Sequence, residues 1–86
     1  MKTIFKYQIS PWSTSRTMPA LAEILTVQVQ GEDVCVWARV DTDFAPKTRQ
    51  FGFYGTGHPL PEDPGVYVGT VQLGPLVWHV FDRGEE

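Results

Sequence analysis

The stretch Ile24–Asp41, "ILTVQVQGEDVCVWARVD", decides the fold because it contains two strand-like segments separated by a turn. The first segment, from about Glu23 to Gln30, is rich in β-branched residues, and Gly31–Asp33 has the composition of a tight turn. The second segment alternates: Val34, Val36, Ala38 and Val40 share one face, and Cys35, Trp37 and Arg39 share the other. The sequence therefore predicts an antiparallel hairpin.

Four further segments on either side of this hairpin have the same strand-like pattern. They are Thr3–Ile9 ("TIFKYQI"), residues 48–56 ("TRQFGFYGT"), residues 66–73 ("VYVGTVQL") and residues 76–82 ("LVWHVFD"). No segment has the length and periodicity of a helix. The expected fold is an all-β domain over residues 1–86, a small antiparallel six-stranded sandwich or partly open barrel.

The segment Ser10–Pro19, "SPWSTSRTMP", is predicted to be a long exposed loop because it combines two prolines with a cluster of serine and threonine. It contains Trp12 and, nearby, Arg16, two residue types that are common at binding hot spots. A loop tryptophan can equally plug the open end of a small sandwich. The sequence leaves both interpretations of Trp12 open.

Composition excludes several classes of function. The chain has 86 residues and a formal net charge of −3, with 7 basic and 10 acidic residues, so it lacks the basic excess that nucleic-acid binding requires. No apolar run approaches the roughly 18 residues that cross a bilayer. We therefore expect a soluble, unexported chain with neither nucleic acid nor membrane among its partners.

The sequence does not predict an active site, a metal site or a cofactor. Cys35 is the single cysteine, and its strand position indicates a small buried hydrophobe. The histidines, His58 and His79, have no metal-ligand spacing, and His79 alternates with apolar neighbours as a structural histidine would. All serines lie within Ser10–Pro19, away from any histidine. We expect a protein that is not an enzyme.

The stretch Tyr54–Gly65, "YGTGHPLPEDPG", is the candidate binding loop. Positive φ at Gly55 and Gly57 would turn successive amides inward as an anion nest, to which Thr56 and His58 could add side-chain donors. The alternative is a plain turn followed by extended, proline-rich chain. The candidate binding residues are Tyr54, Gly55, Thr56, Gly57 and His58 in this loop, together with Trp12 and Arg16.

With these segments in place, "KTIFKYQI", the hairpin, "YGTGHPLPEDPG", "YVGTVQL" and "LVWHVF" together resemble an uncharacterised family of small proteins from tailed bacteriophages and prophages. The resemblance implies an accessory protein, made in the host bacterial cytoplasm, that binds and inhibits a host or anti-phage defence protein. Two alternatives remain: a sponge for a small anionic ligand such as a phosphorylated signal molecule, and a minor virion component.

We also expect a homodimer. A small six-stranded sheet leaves unpaired edges, and "VYVGTVQL" carries few of the charged residues that protect an edge strand from pairing.

Overall fold

The computed structural model describes all 86 residues and contains seven strands and no helix. The strands are β1 (Lys2–Ile9), β2 (Ser15–Pro19), β3 (Glu23–Gln30), β4 (Asp33–Asp41), β5 (Pro46–Gly55), β6 (Val66–Leu73) and β7 (Leu76–Glu85). They form two antiparallel sheets, one of three strands in the order β1-β4-β3 and one of four in the order β2-β5-β7-β6. The all-β antiparallel sandwich is confirmed, and it does not close into a barrel.

The predicted hairpin forms as β3 and β4, with Gly31 in the turn at a φ of +64°. Val27 pairs with Val36 and Val29 with Val34, so the apolar side of the hairpin faces the second sheet. No helix that could span a membrane is present.

The core lies between the two sheets and is centred on Val36 of β4 and Val80 of β7, both fully buried. Burying a valine side chain stabilises the fold by about 1.5–3 kcal/mol relative to leaving it exposed. The other buried members are Tyr7, Ile9, Met18, Ala22, Val27, Val34, Ala38, Val40, Phe51 and Val71. Cys35 is buried as predicted, but it lies outside this cluster because it occupies the opposite face of β4.

The predicted loop Ser10–Pro19 is wrong in its second half, which is strand β2. The chain reverses at Ser10–Ser13, where the two backbones exchange hydrogen bonds of 3.1 Å, and then pairs with β5 from Ser15 opposite Gln50 to Pro19 opposite Pro46. A proline is tolerated there because β2 is an edge strand and Pro19 is its last residue. The sandwich therefore has seven strands and not six.

Each of the four edge strands has a feature that hinders pairing with another chain. The register of β3 shifts at Leu25 and that of β6 shifts at Val68, each a one-residue bulge. On β1 the carbonyl of Gln8 already accepts a hydrogen bond from Arg16, and β2 has only 5 residues. The homodimer remains a prediction, and these features favour contact through a sheet face over edge pairing.

A partly buried ion pair ties β5 to β7. Arg49 donates from Nε to Oδ1 of Asp82 at 2.9 Å and from Nη2 to Oδ2 at 2.7 Å, and its Nη1 bonds the carbonyl of Ala22 at 2.9 Å. The hydrogen bond to Asp82 raises the pKa of Arg49. Burial alone would raise the pKa of Asp82, but hydrogen bonds from Arg49 and the Gly84 amide outweigh it and lower that pKa.

Candidate functional site

The outward faces of the two sheets differ in character. On the three-stranded sheet, polar side chains pair across strands: Lys6 with Gln30 at 2.6 Å, Gln8 with Asp33 at 3.1 Å, and Arg39 with Glu23. The apolar side chains of Ile4 and Trp37 lie among them on the same face. The four-stranded sheet presents Tyr54, Tyr67, Thr70, His79 and Phe81, which we call the aromatic face. A sheet face turned to water is normally polar, so an aromatic one calls for a functional explanation.

Phe81 is at the centre of the aromatic face. Its ring centroid lies 5.6 Å from that of Tyr54 and 5.5 Å from that of Tyr67, both edge to face. Gly52 lies opposite Phe81 on β5, and a Cβ there would be 2.6 Å from the Tyr54 hydroxyl. The glycine thus makes room for the tyrosine ring, whose hydroxyl accepts a 2.6 Å hydrogen bond from Arg83.

The loop after β5 begins with a tight turn. The His58 amide donates to the Gly55 carbonyl at 3.1 Å, and Gly57 has a φ of +82°, as in a type II turn. The prediction of a positive φ is therefore confirmed at Gly57. It is wrong at Gly55, which ends β5 in extended conformation. Gly55 is needed for another reason: a Cβ there would lie 2.6 Å from Nδ1 of His58. Because the His58 amide already donates to Gly55, it is not available to the predicted anion nest.

The same loop is anchored at its far end by Gly65. This residue has a φ of +98°, and a Cβ would run into the backbone carbonyl of Asp82 on β7. Asp63 adds two contacts: its carboxylate accepts from the Gly65 amide at 3.3 Å, and its carbonyl accepts from Arg83 at 3.5 Å. The loop is thus held against β7 at both ends.

His79 links the loop to β6 through both ring nitrogens. Its Nε2 lies 2.8 Å from the hydroxyl of Thr56, and its Nδ1 lies 2.9 Å from the hydroxyl of Thr70. Thr70 in turn lies 2.6 Å from the hydroxyl of Tyr67. The sequence predicts a structural His79 and does not reveal its partners, although strand alternation places Thr70 and His79 on faces that could coincide.

A cavity of about 260 Å³ lies between the loop and the aromatic face. The five predicted loop residues, Tyr54 to His58, all line it, and Leu60, Tyr67, His79 and Phe81 complete its wall. The structure therefore brings the predicted loop residues together in one site and adds His79 and Phe81 to them.

The other two predicted residues, Trp12 and Arg16, lie outside this site. Trp12 is at the tip of the Ser10–Ser13 turn and is 81% exposed, so it does not plug the sandwich. Arg16 is positioned over the ring of Tyr7, 5.5 Å from its centroid, and bonds the Gln8 carbonyl. Arg16 is therefore occupied in joining β2 to β1, and only Trp12 remains free for a partner.

A larger cleft of about 430 Å³ lies elsewhere, beside Leu21, Val40 and Phe44. Leu21 is 75% exposed and has a φ of +62°, which is rare for a residue with a large side chain. The charged groups at the rim include Arg39 and Glu23, which pair with each other. Lys2 and Asp41 also line this cleft.

The fold and the site define a small all-β sandwich with a loop folded over an aromatic sheet face. The chain belongs to the family described as Domain of unknown function (DUF7352), whose model matches residues 1–86. Comparisons with the curated proteins and with the solved structures found no match. Function must therefore be argued from the site itself.

Proposed function

We propose that this chain is a binding protein whose aromatic face and covering loop dock onto a partner protein. The observation that carries the proposal is the cluster of three aromatic rings outside the four-stranded sheet, Tyr54, Tyr67 and Phe81, where the three-stranded sheet has one aromatic side chain among paired polar groups. The resemblance to small phage and prophage proteins indicates the partner: a bacterial host or defence protein, which the chain inhibits.

The exposed apolar groups around the cavity supply the binding energy. Tyr67 is 55% exposed and Leu60 is 53% exposed, and both line the cavity. Removing their apolar surface from water yields about 25 cal/mol per Å². Tyrosine is also among the residues that contribute most at interfaces.

The loop presents these groups in a fixed conformation. The Gly55–His58 turn, the contact of Gly65 with β7 and the bond between Thr56 and His79 each restrain it. Ordering a flexible loop on binding costs free energy, and an anchored loop avoids most of that cost. Glu62 and Asp63 are exposed on the same loop, so the complementary partner surface is an apolar patch with basic groups at its border.

The test is a pull-down from host bacterial lysate followed by affinity measurements on variants. We expect one stoichiometric partner, whose affinity falls by about 1–3 kcal/mol in His58→Ala if the imidazole bonds a charged group. Stability should change by no more than about 0.5 kcal/mol, because His58 is exposed.

Gln28→Ala is the matched control, since Gln28 is exposed on the three-stranded sheet. It should leave affinity unchanged. Recovery of no stoichiometric partner, or equal affinity loss in His58→Ala and Gln28→Ala, would contradict the proposal. A nucleotide that raises the melting temperature at saturating concentration would instead support the ligand-sponge alternative.

A further inference from the structure

Thr56 and His79 have the geometry of a nucleophile and its general base. The Thr56 hydroxyl is exposed on the loop and lies 2.8 Å from Nε2 of His79. The other ring nitrogen is held by the Thr70 hydroxyl at 2.9 Å, so the imidazole is fixed from both sides. A hydroxyl bonded to an imidazole that a third group orients is the arrangement that activates hydroxyl nucleophiles.

The hydrogen bonds can run in a direction suited to this role. Thr56 donates its hydroxyl proton to Nε2, Nδ1–H donates to Thr70, and Thr70 donates to the Tyr67 hydroxyl, 2.6 Å away. In this direction Nε2 is the unprotonated nitrogen, which a general base requires. Tyr67, which is 55% exposed, ends this chain of hydrogen bonds.

The surroundings of Thr56 fit an acyl substrate. The amide of Gly57, the next residue, makes no hydrogen bond within the chain and is available to an oxyanion. Gly57 adds no side chain next to the hydroxyl, and a Cβ there would meet nothing within 4 Å, so a substrate can approach from that side. The 260 Å³ cavity beside it is walled by Tyr54, Tyr67 and Phe81, a suitable surface for a small aromatic group.

We propose that Thr56 is the nucleophile of an esterase site that accepts activated aryl esters. Thr56 Oγ1 attacks the carbonyl carbon while its proton passes to Nε2 of His79. The tetrahedral oxyanion faces the Gly57 amide and collapses, and the phenol leaves with the proton from the imidazolium. Water then attacks the acyl-threonine, gives one proton to His79, and releases the acid as that proton returns to Oγ1.

The orienting group limits the substrate to esters with good leaving groups. Thr70 is a neutral hydroxyl, so it stabilises the imidazolium less than a carboxylate would. A phenolate needs little protonation to leave, whereas an amine needs a full proton. The site therefore cleaves aryl esters and does not cleave amides.

This activity would be additional to the proposed binding function and does not depend on it. The proposed activity differs from the expectation, drawn from the sequence, that the chain is not an enzyme. That expectation was based on Cys35 and the serines as possible nucleophiles and did not include a threonine. One experiment tests whether the chain has this esterase activity.

The experiment measures hydrolysis of 4-nitrophenyl acetate and locates the acetyl group by mass spectrometry. We expect acetylation on the peptide containing Thr56 and a fall of about 100-fold or more in rate for Thr56→Val and His79→Gln. Thr56→Ser should stay active. Thr17→Val is the control, because Thr17 is equally exposed and makes no side-chain hydrogen bond.

Acetyl groups found only on lysines or the amino terminus of the wild-type chain would overturn the proposal, and this result needs no variant to fold. Rates within twofold of wild type in folded Thr56→Val would overturn it too. Thermal unfolding of each variant separates a lost nucleophile from a lost fold. Because partner affinity is measured separately, failure here leaves the binding proposal standing.

Discussion

Arg49 and Asp82 form a two-point ion pair across β5 and β7, with side chains only 12% and 13% exposed. The pair of Arg39 and Glu23 on the three-stranded sheet has side chains 64% and 54% exposed. The chain thus has one partly buried and one exposed arginine–carboxylate pair, so the two can be compared for the effect of burial on the stability that an ion pair contributes.

Arg49→Met should destabilise the fold by about 2–4 kcal/mol, because the partly buried Asp82 carboxylate loses its charged partner and keeps only the Gly84 amide, and the Ala22 carbonyl loses its donor. Arg39→Met should cost less than about 1 kcal/mol, since exposed ion pairs contribute little. Urea unfolding at neutral pH measures both. Equal losses in the two variants would show that burial of the Arg49 pair has no energetic importance.

The Arg49–Asp82 pair also predicts how stability depends on pH. The pKa of Asp82 is lower in the folded chain than in the unfolded one, so its contribution is complete above the unfolded pKa of about 3.9. The contribution is lost as pH falls through the folded pKa. The stability difference between wild type and Arg49→Met should therefore shrink below about pH 4. A constant difference from pH 7 to pH 2, measured by urea unfolding, would contradict this.

Gly65→Ala should be more damaging than Gly57→Ala. Both glycines have positive φ, so either substitution strains the backbone by about 1–2 kcal/mol. At Gly57 a Cβ meets nothing within 4 Å, whereas at Gly65 it meets the Asp82 backbone, which cannot move without disturbing β7. Melting temperatures of the two variants test the order, and Gly31→Ala, also open and at positive φ, should match Gly57→Ala.

Trp12→Ala should leave stability within about 0.5 kcal/mol of wild type, because the side chain is 81% exposed. Arg16→Ala should cost more, about 1–2 kcal/mol, since it removes the contact with the Tyr7 ring and the bond to the Gln8 carbonyl. If partner affinity drops in Trp12→Ala with stability unchanged, the turn at Ser10–Ser13 is a second contact surface. A reversed order of stabilities would refute the assignment of Arg16 to the fold.

Strand positions could be predicted from the sequence wherever one face of the strand is buried. Val34, Val36, Ala38 and Val40 alternate because β4 is the central strand of its sheet, and alternation is then imposed by burial. β2 lacked that signal: only Met18 of its residues is buried, and the prolines and hydroxyl residues indicated a loop. A short edge strand needs only backbone pairing on one side, which side-chain patterns do not reveal.

The candidate site was predictable only in part for a related reason. The glycines and Thr56 are consecutive, so the loop was visible as a local motif. The bond from Thr56 to His79 joins residues 23 positions apart and exists because Tyr54 and His79 are register partners across β5 and β7. Register between strands depends on the whole sheet, so the hydroxyl and the imidazole are visible in the sequence but the hydrogen bond between them is not.

The placement of β2 has a consequence for how the chain is assembled. The hairpins β3–β4 and β6–β7 each close across a short turn. By contrast, Ser15 of β2 pairs with Gln50, 35 positions later, and β1 pairs with β4 only after β2 and β3 have been synthesised. On the ribosome, β2 therefore emerges well before β5, the strand with which it forms its ladder, has been synthesised. Domains dominated by such distant pairings refold in about milliseconds to seconds, slowly for their size. The strand whose side chains gave the weakest signal is thus also one of two strands, with β1, that stay unpaired while later strands are synthesised.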